Sequence, residues 1–219
     1  MTHDMSDDMP GDVIGAVSDA VNRVTDVLRG PDEHSDLARL HARLVDDATG
    51  GGLIDVAYRT LDSPVGSLLL AATENGLVRI AFAVQDHDAA LDELARRVSP
   101  RVLRAPRRLD ATARELEEYF GGRRTVFDVR LDLRLARGFH RDVLDVLQRI
   151  VFGATESYTQ VAARTSSPKA VRAVGTACAR NPLPLVVPCH RVVRSDGGTG
   201  QYAGGAEAKV ALLALERVR

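Results

Sequence analysis

The chain has 219 residues, 45% of them hydrophobic and 27% charged, with a formal net charge of −1. That composition fits an ordinary globular protein with one large or two small cores, and no apolar run approaches the roughly 20 residues a membrane span needs. Two cysteines exclude a disulfide framework, and an acidic start, "MTHDMSDDMP", lacks the plan of a secretion signal, so a cytoplasmic location is expected.

Residues 1–52 read as an appended helical extension and linker. Val13, Val17, Val21, Val24 and Leu28 fall on one helical stripe, which Gly30 and Pro31 end. A second short helix is expected over Leu37–Val45, with Leu37, Leu40 and Leu44 on one face, and "TGGG" at Thr49–Gly52 as a flexible link. His34 and His41 have no cysteine near them and read as solvated histidines rather than a metal site.

Over residues 53–135 the pattern predicts an α+β domain with an antiparallel sheet. "LIDVAYRTL", "SLLLAAT" and "LVRIAFAV" are strand-like, and Asn75-Gly76 marks a hairpin because both residues tolerate positive φ. Helices are expected over Asp86–Val98 and Asp110–Phe120, with a further strand at "TVFDVRLDL".

Residues 136–219 are helical, and a pair of helices a few residues apart suggests a helix-turn-helix, winged-helix-like domain. The helices are expected at Phe139–Ile150, Ser157–Arg164, Pro168–Arg180 and Ala206–Arg217, with Ser167 capping the third and Pro168 in its first turn. Charge is uneven. Residues 1–138 carry 18 Lys and Arg against 24 Asp and Glu, whereas residues 139–219 carry 11 against 6. A basic C-terminal third suits a polyanion such as DNA, unless the clustering is chance.

The chemistry concentrates at "LVVPCHRVVRSDG". Cys178, Cys189 and His190 give at most three zinc ligands, and adjacent ligands fit one ion poorly. A Cys178–Cys189 disulfide does not suit a reducing compartment. Two readings remain for Cys189: a buried inert thiol, or a nucleophile whose proton goes to His190 beside the positive Arg191.

"SYTQVA", "KAVRAVGTACARNPLP", "VVPCHRVVRSDGGTGQYAGG" and "KVALLALE" together resemble the O6-alkylguanine-DNA alkyltransferases, the methylated-DNA–protein-cysteine methyltransferases. The resemblance is strong over residues 139–217, loose over 54–130 and absent over 1–52. It implies a single-turnover DNA-repair protein that flips O6-alkylguanine from duplex DNA and keeps the alkyl group on its own cysteine. No cofactor or metal and no membrane is expected, and a monomer is the default.

Carried over by position, Cys189 is the acceptor, His190 its base through a water, and Glu216 the carboxylate that orients His190. Asn181 is the hinge, and Tyr158 contacts the flipped base and its phosphate. Arg172 fills the gap in the duplex, with Ala170 and Arg191 also on the DNA side. Val192, Tyr202, Ala203 and Gly204 line the base pocket. Each also has a structural reading: Glu216 as a solvated charge, Asn181 as a helix stop, Tyr158 and Tyr202 as core rims, Arg172 as surface.

The sequence departs from the pattern at Leu144, where relatives often carry tryptophan, and at Ile150–Gly153, which lacks a common proline. Cys178 stands where an apolar residue is common. Rival readings are a damage sensor without repair, which the presence of Cys189 opposes, a regulator switched by alkylation of Cys189, and a thiol hydrolase, for which no oxyanion motif exists.

Overall fold

A computed structural model describes residues 33–198 and 200–217. The expected stripe from Val13 to Leu28 lies outside them. Residue contacts divide the chain into Met1–Asp47 and Ala48–Arg219. Among the described residues no helix is long and apolar enough to cross a membrane.

The helix expected over Leu37–Val45 is longer: α1 spans Glu33–Gly50, with Leu37, Leu40 and Leu44 exposed. The "TGGG" segment begins inside the helix, at Thr49 and Gly50. It ends the helix, with Gly52 at φ 64° and Leu53 N–H donating to Ala48 C=O at 2.8 Å, the glycine-terminated cap that satisfies a last-turn carbonyl.

The rest is α+β. Strands β1 (Val56–Leu61), β2 (Leu68–Thr73), β3 (Gly76–Phe82) and β4 (Val102–Arg104) form a sheet in the order β3-β2-β1-β4. The first three make the expected antiparallel meander, but β4 pairs parallel to β1, so the sheet is mixed. The β2–β3 turn falls on Glu74 and Asn75, one residue earlier than expected, with Thr73 opposite Gly76. Asn75 does not take positive φ; Gly76 does, at 134°, where a Cβ would lie 2.3 Å from the Arg130 carbonyl oxygen.

The unbroken apolar run of β2 reflects burial on both faces. Leu68, Leu70, Ile80 and Phe82 enter the main core, which holds Leu116 and Tyr119 of α3 (Asp110–Phe120). Leu69, Ala71 and Val78 face the side packed by Ala90 and Leu94 of α2 (His87–Arg97). Asp86 caps α2, its Oδ1 accepting from Asp88 N–H and Ala89 N–H.

The strand expected at "TVFDVRLDL" is not formed. The segment is irregular and touches β3 through one parallel bridge, Leu77 to Leu131. There Leu77 N–H donates to Arg130 C=O and Asp132 N–H to Leu77 C=O, each at 2.8 Å. Asp132 is then anchored by the Thr73 hydroxyl at 2.5 Å.

The C-terminal part holds α4 (Phe139–Leu147), α5 (Tyr158–Ala163), α6 (Val171–Ala179) and α7 (Gly205–Arg217). A short parallel pair, β5 (Glu156–Ser157) with β6 (Val192–Val193), ties the start of α5 to the Cys189 segment. Helix α6 starts at Val171, not Pro168, so Ser167 does not cap it. Pro168 sits instead in a turn closed by Ala170 N–H to Ser167 C=O at 2.9 Å. Leu144, in the place of a tryptophan, is fully buried in the core shared with Val143 and Leu147.

Candidate active site

Cys189 begins a single 3-10 turn, Cys189–Arg191, that follows Pro188 and is almost wholly buried. The approach is strained: Leu185, four residues upstream, has φ 75° although it is not glycine. Such backbone persists where surrounding contacts over-determine it, a pattern concentrated at functional loops. Asn181 bonds the chain on either side of Leu185. Its Oδ1 accepts from Leu183 N–H at 3.0 Å, and its Nδ2 donates to Val187 C=O at 2.7 Å and reaches Cys189 Sγ at 3.2 Å. One side chain thus joins the end of α6 to the thiol.

Glu216 lies on the last turn of α7 and is buried. Its Oε1 meets His190 Nε2 at 2.8 Å and accepts from the Tyr119 hydroxyl at 2.8 Å and Arg191 Nη2 at 2.9 Å. Its Oε2 accepts from Arg191 Nε at 2.8 Å and Gly153 N–H at 3.2 Å. Burial opposes ionisation, but the hydrogen bonds from His190 and Arg191 and the positive charge of Arg191 outweigh it and hold the carboxyl at about 2. A buried carboxylate with this many donors stays ionised.

Arg191, expected on the DNA side, is not available there. It is buried, forked onto Glu216, and donates through Nη1 to Ile150 C=O at 2.5 Å. Its charge holds Glu216 rather than a phosphate.

His190 is fully buried. Burial lowers its pKa against the pull of Glu216, so the ring rests neutral. With Nε2 on Glu216, Nδ1 is the nitrogen left to take a proton, and it has no protein partner. His190 and Cys189 share no direct hydrogen bond. Burial pushes the Cys189 thiol up to about 11, opposed by the Asn181 hydrogen bond and by Lys209. The resting state is therefore a thiol beside a neutral base.

The other expected residues fall into two groups. Near the thiol, the Tyr202 ring packs edge-on to His190 at 6.2 Å and to Phe82 at 5.5 Å, with its hydroxyl buried. Ala203 packs on the same core. Gly204 faces the Phe82 ring so closely that a Cβ would lie 2.8 Å from it. Tyr158 starts α5 under a capping box of Ser157 and Gln160, and burial raises its pKa, followed by the two cysteines. The Val192 carbonyl accepts from Lys209 Nζ at 2.6 Å. Away from the thiol stand Ala170, at the cap of α6, and Arg172, exposed on its first turn.

Three residues are additions to the set the motifs supplied: Lys209, Tyr119 and Phe82. Lys209 was visible inside "KVALLALE", where a lysine interrupts an apolar face; it is fully buried. Tyr119 and Phe82 come from the elements that precede α4 and carry no local signal. Cys178 is buried and free on α6, its pKa raised by burial. Among the described residues no group of His, Cys, Asp or Glu is arranged to hold a metal ion.

Two family models match the chain. Residues 138–218 match the 6-O-methylguanine DNA methyltransferase DNA binding domain, and residues 56–133 match its ribonuclease-like domain. The chain is 39% identical over 162 residues to a methylated-DNA–protein-cysteine methyltransferase of Mycolicibacterium paratuberculosis, covering 74% of this chain and 93% of that protein. It is also similar to the crystal structure of the Mycobacterium tuberculosis O6-methylguanine methyltransferase, with a TM-score of 0.67 at 37% identity, covering 75% of this chain and 94% of that one. A crystal structure of Mycobacterium tuberculosis OGT in complex with DNA gives a TM-score of 0.65 at 37% identity, covering 74% and 92%.

Proposed function

The chain belongs to the 6-O-methylguanine DNA methyltransferase family, and from that premise and the geometry of its site we propose how its residues divide the work of repair. The protein flips O6-alkylguanine out of duplex DNA and transfers the alkyl group irreversibly to its own cysteine. The observation that carries the assignment is the buried chain Asn181–Cys189 beside His190–Glu216–Arg191.

The target atom is hidden in the base stack, so the base must be extruded, at roughly a few kcal/mol. Arg172 is exposed at the start of α6, which suits a side chain that enters the duplex and fills the gap, with Ala170 beside it. Tyr158 contacts the extruded nucleotide. The Val192 carbonyl, tethered by Lys209, accepts from the base, and the backbone at Tyr202–Ala203 donates to it. Gly204 leaves space that Phe82 and the base share.

In the chemical step the Cys189 proton passes through a water to His190 Nδ1. Glu216 stabilises the imidazolium that forms and stays ionised itself. The thiolate attacks the alkyl carbon, an S–C bond forms, and the C–O6 bond breaks. The electron pair goes to the guanine ring, whose charge the pocket donors stabilise. Asn181 holds the sulfur through Nδ2. A thioether is not easily hydrolysed, so each molecule acts once. Both cysteines are free, which suits a reducing compartment such as the cytoplasm.

The test is intact mass after mixing with duplex containing O6-methylguanine. One methyl group should be added, at one equivalent, and peptide mapping should place it on Cys189. Repeated turnover, or a methyl group on Cys178, overturns the assignment.

A further inference from the structure

Away from the thiol pocket lies a cleft of about 420 Å³, lined by Arg79, Glu93, Arg97, His140 and Arg180 and floored by Asn181–Pro182. Its walls come from β3, α2, the first turn of α4 and the end of α6. Two guanidinium groups, Arg79 and Arg97, share the carboxylate of Glu93, and a third, Arg180, lines the same cleft. Glu93 Oε1 is held by Arg97 at 2.5 Å, which leaves Arg79 a long ion pair of 3.6 Å to Oε2. Arg79 is nevertheless largely buried, its side chain 14% exposed.

Two polar atoms of this lining are buried without a partner, Arg79 Nε and His140 Nε2. Buried polar groups in folded proteins are almost always satisfied, so two orphans in one cleft point to a ligand. The donor set defines its chemistry. An under-compensated, planar guanidinium recognises an oxyanion. His140 is kept neutral by burial, with Arg180 and Arg97 repelling its proton, while its ring bonds the Ala177 backbone. A neutral Nε2 is then an acceptor. An oxyanion that satisfies both must carry a hydroxyl of its own.

We propose that this cleft binds a hydrogen-phosphate group, either free phosphate or a terminal phosphomonoester taken up in its singly protonated form, with Arg79 and Arg180 on its oxygens and its P–OH donating to His140 Nε2. A phosphodiester or sulfate lacks that hydroxyl and fits less well. The site would hold its ligand without Cys189 or an alkylated base taking part. It shares its floor with the hinge: the Pro182 carbonyl accepts from Ile80 N–H at 2.8 Å, so an occupied cleft braces β3 against the segment that carries Asn181.

Calorimetric titration of the full chain with inorganic phosphate, and separately with sulfate, tests this at pH 7.5 without any alkylated DNA. Phosphate should bind at one equivalent, at least about tenfold tighter than sulfate. Arg79→Gln and Arg180→Gln should each weaken it by about tenfold or more; Arg180 is exposed, so its variant keeps the test valid if Arg79→Gln does not fold. Competition by undamaged duplex identifies the source: displacement only by a 5′-phosphorylated duplex assigns a strand end, and no displacement assigns free phosphate. No saturable phosphate binding, equal affinity for sulfate, or binding unchanged in both variants overturns the proposal.

Discussion

Glu216→Gln isolates the carboxylate on which the site converges. Glutamine keeps the shape but removes the charge and turns one acceptor oxygen into a donor. That donor then faces Arg191 Nε and Gly153 N–H, or His190, Tyr119 and Arg191 Nη2, whichever way the amide lies. Two routes give the cost. Removing one partner of a buried ion pair typically destabilises by about 3–5 kcal/mol. Independently, the carboxyl falls from an ordinary 4.5 to about 2, which by linkage stabilises the neutral-pH fold by about 3 kcal/mol. The expected loss is therefore about 3 kcal/mol, read from urea unfolding at pH 7.5. The sign of the pH dependence follows. A carboxyl lowered on folding contributes its full stability above 4.5 and loses it as pH falls toward 2. His190, lowered from 6.5, adds a loss of the same sign that begins below 6.5. The variant should lack the steeper decline below 4.5 and keep the earlier one. Single-turnover methyl transfer should slow by about 10²–10⁴, because His190 loses the anion that stabilises its protonated form, while affinity for duplex stays unchanged. Equal stability within about 1 kcal/mol, or an unchanged transfer rate, would refute the reasoning.

Two further outcomes follow from the pocket. Gly204→Ala sets a Cβ 2.8 Å from the Phe82 ring, so it should lower stability by about 1–3 kcal/mol and slow transfer, measured by thermal unfolding and single-turnover kinetics. Arg172→Ala should slow repair of duplex strongly yet leave reaction with a free O6-substituted guanine nearly unchanged, since a free base needs no extrusion; equal losses on both substrates would mean the arginine supports the pocket rather than the flip.

Local patterns in the sequence reached as far as local forces act. Helix Asp110–Phe120 was legible to the residue because its apolar spacing and Gly121 both act within a turn. "TVFDVRLDL" alternates as a strand should, yet pairing is a tertiary event, and the partner edge offers it a single bridge. "TGGG" reads as a tether from its composition, while its part in ending the helix shows only in the Leu53 N–H to Ala48 C=O bond. Arg191 shows the same limit at the site. Its place in a basic segment beside the motif suggested phosphate, whereas the buried Glu216 that claims it is 25 positions away. Tyr119 is 97 positions from Glu216, and no spacing rule joins them.

A protein that uses its thiol once must not lose it to the wrong electrophile, and the protonation states meet that demand. With burial raising the Cys189 thiol to about 11, the sulfur rests protonated at neutral pH. An exposed, low-pKa thiolate would react with oxidants and stray alkylating agents instead. Reactivity is one proton transfer away, since His190 is neutral and Glu216 already ionised. In the proposed mechanism the transfer is driven when an alkylated base sits against the sulfur and consumes the thiolate as it forms. The N-terminal sheet takes part in that arrangement. Phe82 of β3 packs on Tyr202 and fills the space beside Gly204, and Ile80 N–H of the same strand holds the Pro182 carbonyl next to Asn181. Strand β3 thus touches both the Tyr202–Gly204 segment and the residue that follows Asn181. Changes in β3 should alter the rate of alkyl transfer before they alter DNA affinity, because Arg172 stands apart on α6.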